Sequence, residues 1–244
     1  MIFGVCSDIG KTRTVNQDSY YNSDIVELQL FVVADGMGGH NGGETASYLA
    51  VKTVEDMLDK NREALINKDI LIPKFIHMTL TEANRIIYNE GLLNESLNGM
   101  GTTLTMVYFT ENSAIIGHVG DSRAYIYNNS ELTQLTQDHS LVAELVRNGS
   151  ISKEEAKDHP QKHIITRALG TDVDLKVDVF ERDIEKGDIV LLCSDGLTNM
   201  LSDEEIKHIL STIEVPQEAC NCLVEKANEL GGEDNITVTI IKID

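Results

Sequence analysis

One short stretch, residues 30–43, limits what this chain can become more than any other: Leu-Phe-Val-Val-Ala-Asp-Gly-Met-Gly-Gly-His-Asn-Gly-Gly. Its five apolar residues have the length and β-branched content of a buried strand, and the run stops at Asp35. Glycine then takes five of the next eight positions. A backbone of that kind turns sharply and brings its own carbonyl and amide groups against an ion or a phosphate that side chains would otherwise hold off. An acid at such a strand end reads as a ligand rather than a surface charge.

The other elements follow from periodicity. Residues 2–6 form a short apolar run, and 20–28 and 30–34 read as strands. Ala46, Leu49, Ala50, Thr53, Val54, Met57 and Leu58 recur at helical spacing, and a second amphipathic helix runs from about 68 to 93. Strand patterns then dominate at 103–109, 114–119, 124–127 and 131–135, joined by short polar turns, which predicts an antiparallel meander. Residues 140–147 read as a helix, 149–170 as a polar lid, 188–193 as a buried strand, 202–210 and 216–230 as helices, and 235–241 as a closing strand. Two long helices, then strands, then a mixed end make an α+β domain.

No proline- or serine-rich linker divides the 244 residues, so 1–244 is expected to be a single domain. Forty acidic residues against twenty basic ones give a net charge of −20, which disfavours nucleic acid and anionic membrane as partners and obliges any anionic substrate to find local positive charge. Four cysteines without metal-type spacing, and no leader or long apolar span, predict a reduced, cytoplasmic setting; we expect a monomer.

Four acids share one position. Asp35, Asp121 and Asp195 follow apolar strand patterns and each touches a glycine in sequence; Asp234 directly precedes the last strand. A single Asp-Gly after an apolar run is ordinarily a turn. Four of them, if gathered on one rim, would repel one another unless cations lay between. An all-oxygen set of that kind suits magnesium or manganese better than zinc.

Six motifs occur in register: Arg13 with Asn16-Gln17-Asp18; Val33 to His40; Gly101-Thr102-Thr103; Gly120-Asp121-Ser122-Arg123-Ala124-Tyr125; Ser194-Asp195-Gly196-Leu197; and Glu233-Asp234-Asn235-Ile236-Thr237. Together they resemble the metal-dependent serine/threonine protein phosphatases of the PPM (type 2C) family in its compact bacterial form, over nearly the whole chain. The resemblance implies a four-layer αββα sandwich, two antiparallel sheets flanked by helix pairs. It implies hydrolysis of phosphoserine and phosphothreonine in proteins by a water activated between Mn²⁺ or Mg²⁺ ions, in opposition to a bacterial Ser/Thr kinase. By it, Asp35 bridges two ions, Asp195 and Asp234 bind the first, the Gly36 carbonyl binds the second, and Asp121 with Asp195 holds the third ion seen in bacterial relatives. Arg13 would clamp phosphate oxygens.

Departures from the family pattern are informative. Relatives often carry glutamate where Gln17 stands, and Asp18 is expected to orient ion-bound water or to support the ligands rather than to bind directly. Animal relatives have a histidine where this chain has Met37; His40, three residues on, is one candidate for the acid that protonates the leaving oxygen, and a second water is the other. His118 reads as a core residue, His77 as solvated, Cys193 as packing, Arg123 as a partner near Asp121, Arg167 as ordering the lid, and Asp138 or Ser140 as a helix cap. Two rivals have weaker support. A non-catalytic module sensing phosphorylated partners is disfavoured by the intact acids and Arg13, and a nucleotide hydrolase by the absence of a lysine in the glycine-rich run.

Overall fold

The computed structural model describes residues 1–38 and 42–244. Two antiparallel sheets lie face to face. The first has the order β1 (Ile2–Asp8), β11 (Ile236–Lys242), β10 (Ile189–Cys193), β7 (Arg123–Asn128), β8 (Glu131–Gln134). The second runs β2 (Asp18–Asn22), β3 (Leu30–Met37), β5 (Leu104–Phe109), β6 (Ser113–Val119), β9 (Asp178–Asp183), with the short β4 (Gly101–Thr102) pairing the end of β3. Helices α1 (Gly42–Lys60) and α3 (Ile72–Leu93) cover the second sheet, and α7 (Asp203–Thr212) and α8 (Pro216–Glu229) cover the first. Short helices α2 (Arg62–Ile66), α4 (Leu141–Arg147), α5 (Lys153–Lys157) and α6 (Asp195–Thr198) fill connections.

Strand β3 shows why four layers form. Leu30, Val32 and Ala34 point to the α1/α3 side, where they join Phe75, Ile76 and Leu80. Phe31 and Val33 point the other way, into the space between the sheets, against Val107, Ile116, Ile126, Val190 and Leu192. A strand buried on both faces must be apolar at every position rather than at alternate ones. The edge contact of Phe31 with Phe3, at a centroid distance of 5.1 Å, joins the two sheets, and that of Phe31 with Phe109, at 5.8 Å, packs neighbouring strands of the second sheet. A third apolar layer, with Leu191, Val238, Leu223 and Ile206, seats α7 and α8. The four-layer sandwich expected from the family resemblance is the fold observed.

Several sequence expectations need correction. The meander does not exist: β5 and β6 form one hairpin, β7 and β8 another, and they belong to different sheets. The chain changes sheets at Gly120, whose φ of +115° is open to glycine at little cost. The strand expected over 20–28 ends at Asn22; residues 25–28 turn back through Leu28 N–H donating to the Ile25 carbonyl. The helix expected from 68 begins at Ile72, because Lys68 has a φ of 61° and Pro73 occupies the first turn. Strand β9 has no counterpart among the strand patterns of the sequence. It is an edge strand whose charged residues, Glu181, Arg182 and Asp183, are exposed, so it lacks a strong apolar pattern.

Candidate metal centre

The topology alone puts the acids at one end. Because β5 is antiparallel to β3 and β6 is antiparallel to β5, the end of β6 lies beside the end of β3, and the start of β2 lies there too. Asp18 and Asp35 are directly paired across β2 and β3. In the other sheet β10 ends and β11 begins at the rim where β7 starts. Asp195 and Asp234 therefore arrive from one sheet, Asp18 and Asp35 from the other, and Asp121 from the segment that crosses between them.

The backbone around each acid is fixed. Asp35 N–H donates to Thr103 Oγ1 at 2.9 Å, and the Asp35 carbonyl accepts from Thr103 N–H and Thr102 Oγ1 at 2.8 and 2.9 Å. At Gly36 an added Cβ would stand 2.0 Å from the Gly43 carbonyl, so the rim closes onto the start of α1 only because both positions lack side chains. Ser194 Oγ donates to Asp18 Oδ2 at 2.7 Å and accepts from Thr237 N–H at 2.9 Å, tying the two sheets together beneath the acids. Asn199, one turn after Asp195, donates to Asp195 Oδ2 at 3.0 Å. Asn235 accepts from Gln17 N–H at 2.8 Å and donates to the Ile9 and Val15 carbonyls, pinning the loop that carries Arg13.

These carboxyls sense one another. Burial, then the charges of Asp18, Asp195, Asp121 and Asp234, push Asp35 well above the usual carboxylate range. Asp18 is raised to about 7 by burial and by Asp195 and Asp234, against the hydrogen bonds from Thr237 and Ser194. Asp121 is raised to about 8, again by burial first and Asp195 next. Asp195 is raised by burial and Asp234, with hydrogen bonds from Asp35 and Asn199 and the charge of His163 acting in the opposite sense. A pocket of about 220 Å³ beside Asp234 is lined by Arg13, Lys162, His163, Gly196, Asn199 and Glu233. Arg13 Nη2 donates to Asp234 Oδ2 at 2.8 Å and remains half-exposed at the pocket mouth.

Among the described residues, no three histidine, cysteine, aspartate or glutamate side chains form a group arranged to hold an ion as they stand. The donor set nonetheless fits hard divalent cations. Asp18 Oδ1, Asp121 Oδ1 and Asp195 Oδ1 are buried oxygens without a hydrogen-bond partner, and carboxylates so crowded require neutralising charge. His40 lies outside the described residues.

Other expectations sort cleanly. His118 is fully buried between Thr105 Oγ1 and the Gln137 carbonyl, as a core histidine should be. His77 is exposed and Cys193 is packed in the core. Ser140 caps α4 through the Ala143 N–H, while Asp138 instead takes Arg123 at 2.7 Å. Arg123 thus pairs near Asp121, donating to Asp138 and Tyr125, and its charge acts on the Asp121 carboxyl. The supporting roles of Ser194, Asn199 and Asn235 were missed, although the first and last lie inside the quoted motifs.

The family model for protein phosphatase 2C matches residues 10–229. The chain is 41% identical over 243 residues to the serine/threonine phosphatase stp of Listeria monocytogenes, covering 98% of this chain and 94% of that protein. Its fold superimposes on the crystal structure of the Mycobacterium tuberculosis serine/threonine phosphatase PstP/Ppp with a TM-score of 0.89 and 36% identity, over 99% of this chain and 98% of that one. A structure of the PstP catalytic domain in complex with two manganese ions gives a TM-score of 0.86 at 35% identity, over 99% and 98% of the two chains. Gathered acids, a half-exposed arginine and a four-layer sandwich agree with these matches: the chain belongs to the protein phosphatase 2C family.

Proposed function

We propose that the rim formed by Asp35, Gly36, Asp121, Asp195 and Asp234 holds divalent cations, and that the protein uses them to remove phosphate from phosphoserine and phosphothreonine in other proteins. The observation that carries the reading is the convergence of mutually raised carboxyls from both sheets beside a pocket containing Arg13. Family membership makes the protein a metal-dependent phosphatase. The finer assignments are ours: manganese or magnesium as the ion, two ions at the core and a third at Asp121, a Ser/Thr kinase as the opposing enzyme, and a cytoplasmic monomer as the working form. Four unpaired cysteines agree with a reduced setting, and no helix of the described residues is long and apolar enough to cross a membrane.

Bound at the rim, the cations would offset the carboxylate charge and acidify the attacking water. The chain's own residues do the rest. Asp35, which feels the charges of Asp18, Asp121, Asp195 and Asp234, would hold the cations together with Asp195 and Asp234, the last of which also lines the pocket. Asp18, held by Ser194, keeps one free buried oxygen with which to orient water. Arg13 must exchange its contact with Asp234 for the incoming phosphate, to which its planar fork is matched. For the proton taken up by the departing serine or threonine oxygen there are two candidate donors, His40 and a water held at the rim. In manganese, Asp35→Asn and Asp195→Asn should each lower phosphopeptide turnover by about 10³-fold or more, the equivalent of several kcal/mol of lost charge stabilisation, with circular dichroism unchanged. Retained turnover in either variant would remove the proposed mechanism.

A further inference from the structure

Asp121 reaches the rim on a tight turn. Gly120 before it has a φ of +115°, and a side chain there would press onto Thr103 at 2.5 Å, so Thr103 closes one side of the turn. His139 closes the other. Its backbone N–H donates to the Gly120 carbonyl at 2.8 Å, and its ring Nδ1 accepts the Gly120 N–H at 3.0 Å. One residue thereby holds the peptide groups on both sides of this glycine. If Nδ1 accepts, the ring proton must reside on Nε2, where it donates to Asp178 Oδ2 at 3.0 Å.

The support continues outward. Asp178 Oδ1 accepts from Arg167 Nη1 at 3.0 Å, and Thr166 N–H donates to the His139 carbonyl at 2.7 Å. The His139 ring is fully buried, with the His118 ring at 4.7 Å. Burial and the nearby Arg167 charge both lower the affinity of His139 for a second proton. A continuous set of hydrogen bonds thus joins residues 166 and 167, near the end of the 149–170 segment, to the turn that aims Asp121.

We infer that His139 is a positioning residue for the Asp121 carboxylate, with Asp178 fixing its tautomer and Arg167 coupling it to the base of the 149–170 segment. The inference rests on Asp121 being a cation ligand, as proposed above. A glycine turn left unclamped would let the carboxylate wander, and partners that orient a ligand are worth about 10–100-fold in metal affinity.

The test is a calorimetric titration of the whole protein with manganese alone, alongside steady-state hydrolysis of a small aryl phosphate. His139→Phe fills the volume but removes the acceptor. It should weaken the Asp121-dependent manganese event about 10–100-fold and lower kcat, with KM within about twofold because the phosphate clamp is untouched. His139→Asn keeps an oxygen near the place of Nδ1 and should restore most of the affinity. Asp121→Asn sets the reference, and Asp121→Asn with His139→Phe should bind no more weakly than Asp121→Asn alone. If His139→Phe melts lower yet titrates like the parent while Asp121→Asn does not, His139 acts only on stability; if the double variant loses affinity further, His139 acts on binding by a route other than Asp121; either result overturns the inference. If Asp121→Asn itself titrates like the parent, it is the ligand assignment that fails. Should His139→Phe not fold, Asp178→Asn carries the same comparison: a weakened manganese event supports the coupling and an unchanged one overturns it.

Discussion

Arg13 illustrates how much of the site one residue type announces. In a chain of net charge −20, an arginine in a polar loop before the first acidic motif has few roles besides gripping an anion, and it does face the pocket beside Asp234. Charge-assisted hydrogen bonds contribute about 1.5–3 kcal/mol. Arg13→Ala is therefore expected to lower kcat/KM on phosphopeptides by about 10–100-fold, mostly through KM, while manganese affinity changes little; initial-rate kinetics at saturating manganese decide it. The acids were legible because burial on both faces writes a strand as an uninterrupted apolar run, so its end is plain. Their supports were not. That Ser194 Oγ serves Asp18, 176 positions away, or that His139 serves Gly120, is decided by tertiary contact, and a serine or histidine looks the same in sequence whichever partner it meets.

Elements were legible where one face alone is buried and unclear where pairing matters. The spacing of Ala46, Ala50, Val54 and Leu58 gives α1 directly, and all four are buried. Hairpin turns tell that β5 meets β6 and β7 meets β8, but nothing in a turn states that the pairs occupy different sheets. The glycine at 120 was the available signal for that change of layer. The segment 149–170 folds into α5, capped by Ser152 and Glu155 acting reciprocally, followed by turns that bring Lys162 and His163 to the pocket. A covering of this kind varies without disturbing the carboxyls beneath. Exchanging 149–170 for the equivalent stretch of a relative should change turnover of phosphoproteins by at least about 10-fold while altering aryl phosphate hydrolysis less than twofold; parallel assays decide it, and equal losses on both would place substrate choice elsewhere.

For the whole molecule, the crowded carboxyls make stability depend on pH in a definite direction. Asp18 and Asp121 move from an ordinary value of 3.8 to about 7 and about 8 on folding, and Asp35 and Asp195 also rise. A raised folded pKa means the native state holds the proton more tightly, so its contribution is complete below pH 4 and is lost as pH climbs toward 8. His118 acts oppositely: burial lowers it from 6.5 to about 4, so acidification through that window favours the unfolded chain. His139 is lowered in the same sense, and both histidine effects fade above pH 6.5, so that the carboxyl effect dominates between pH 6.5 and 8. One proton's difference is worth about 1.4 kcal/mol per pH unit, and about 1 kcal/mol moves the midpoint of a protein this size by about 2–4 °C. In chelator the melting temperature should thus fall by roughly 5 °C from pH 6.5 to 8, and millimolar manganese should abolish the fall. Differential scanning calorimetry at both pH values measures it, and a flat profile in chelator would mean that the acids do not share charge.

The switch of layer at Gly120 means that neither half of the sandwich contains all of the acids. Whatever neutralises them must grip both halves together, like a rivet through two plates. Amide protons in β3 and in β10 should then slow their exchange with heavy water in step as manganese is added, the two plates opening and closing as one cooperative body.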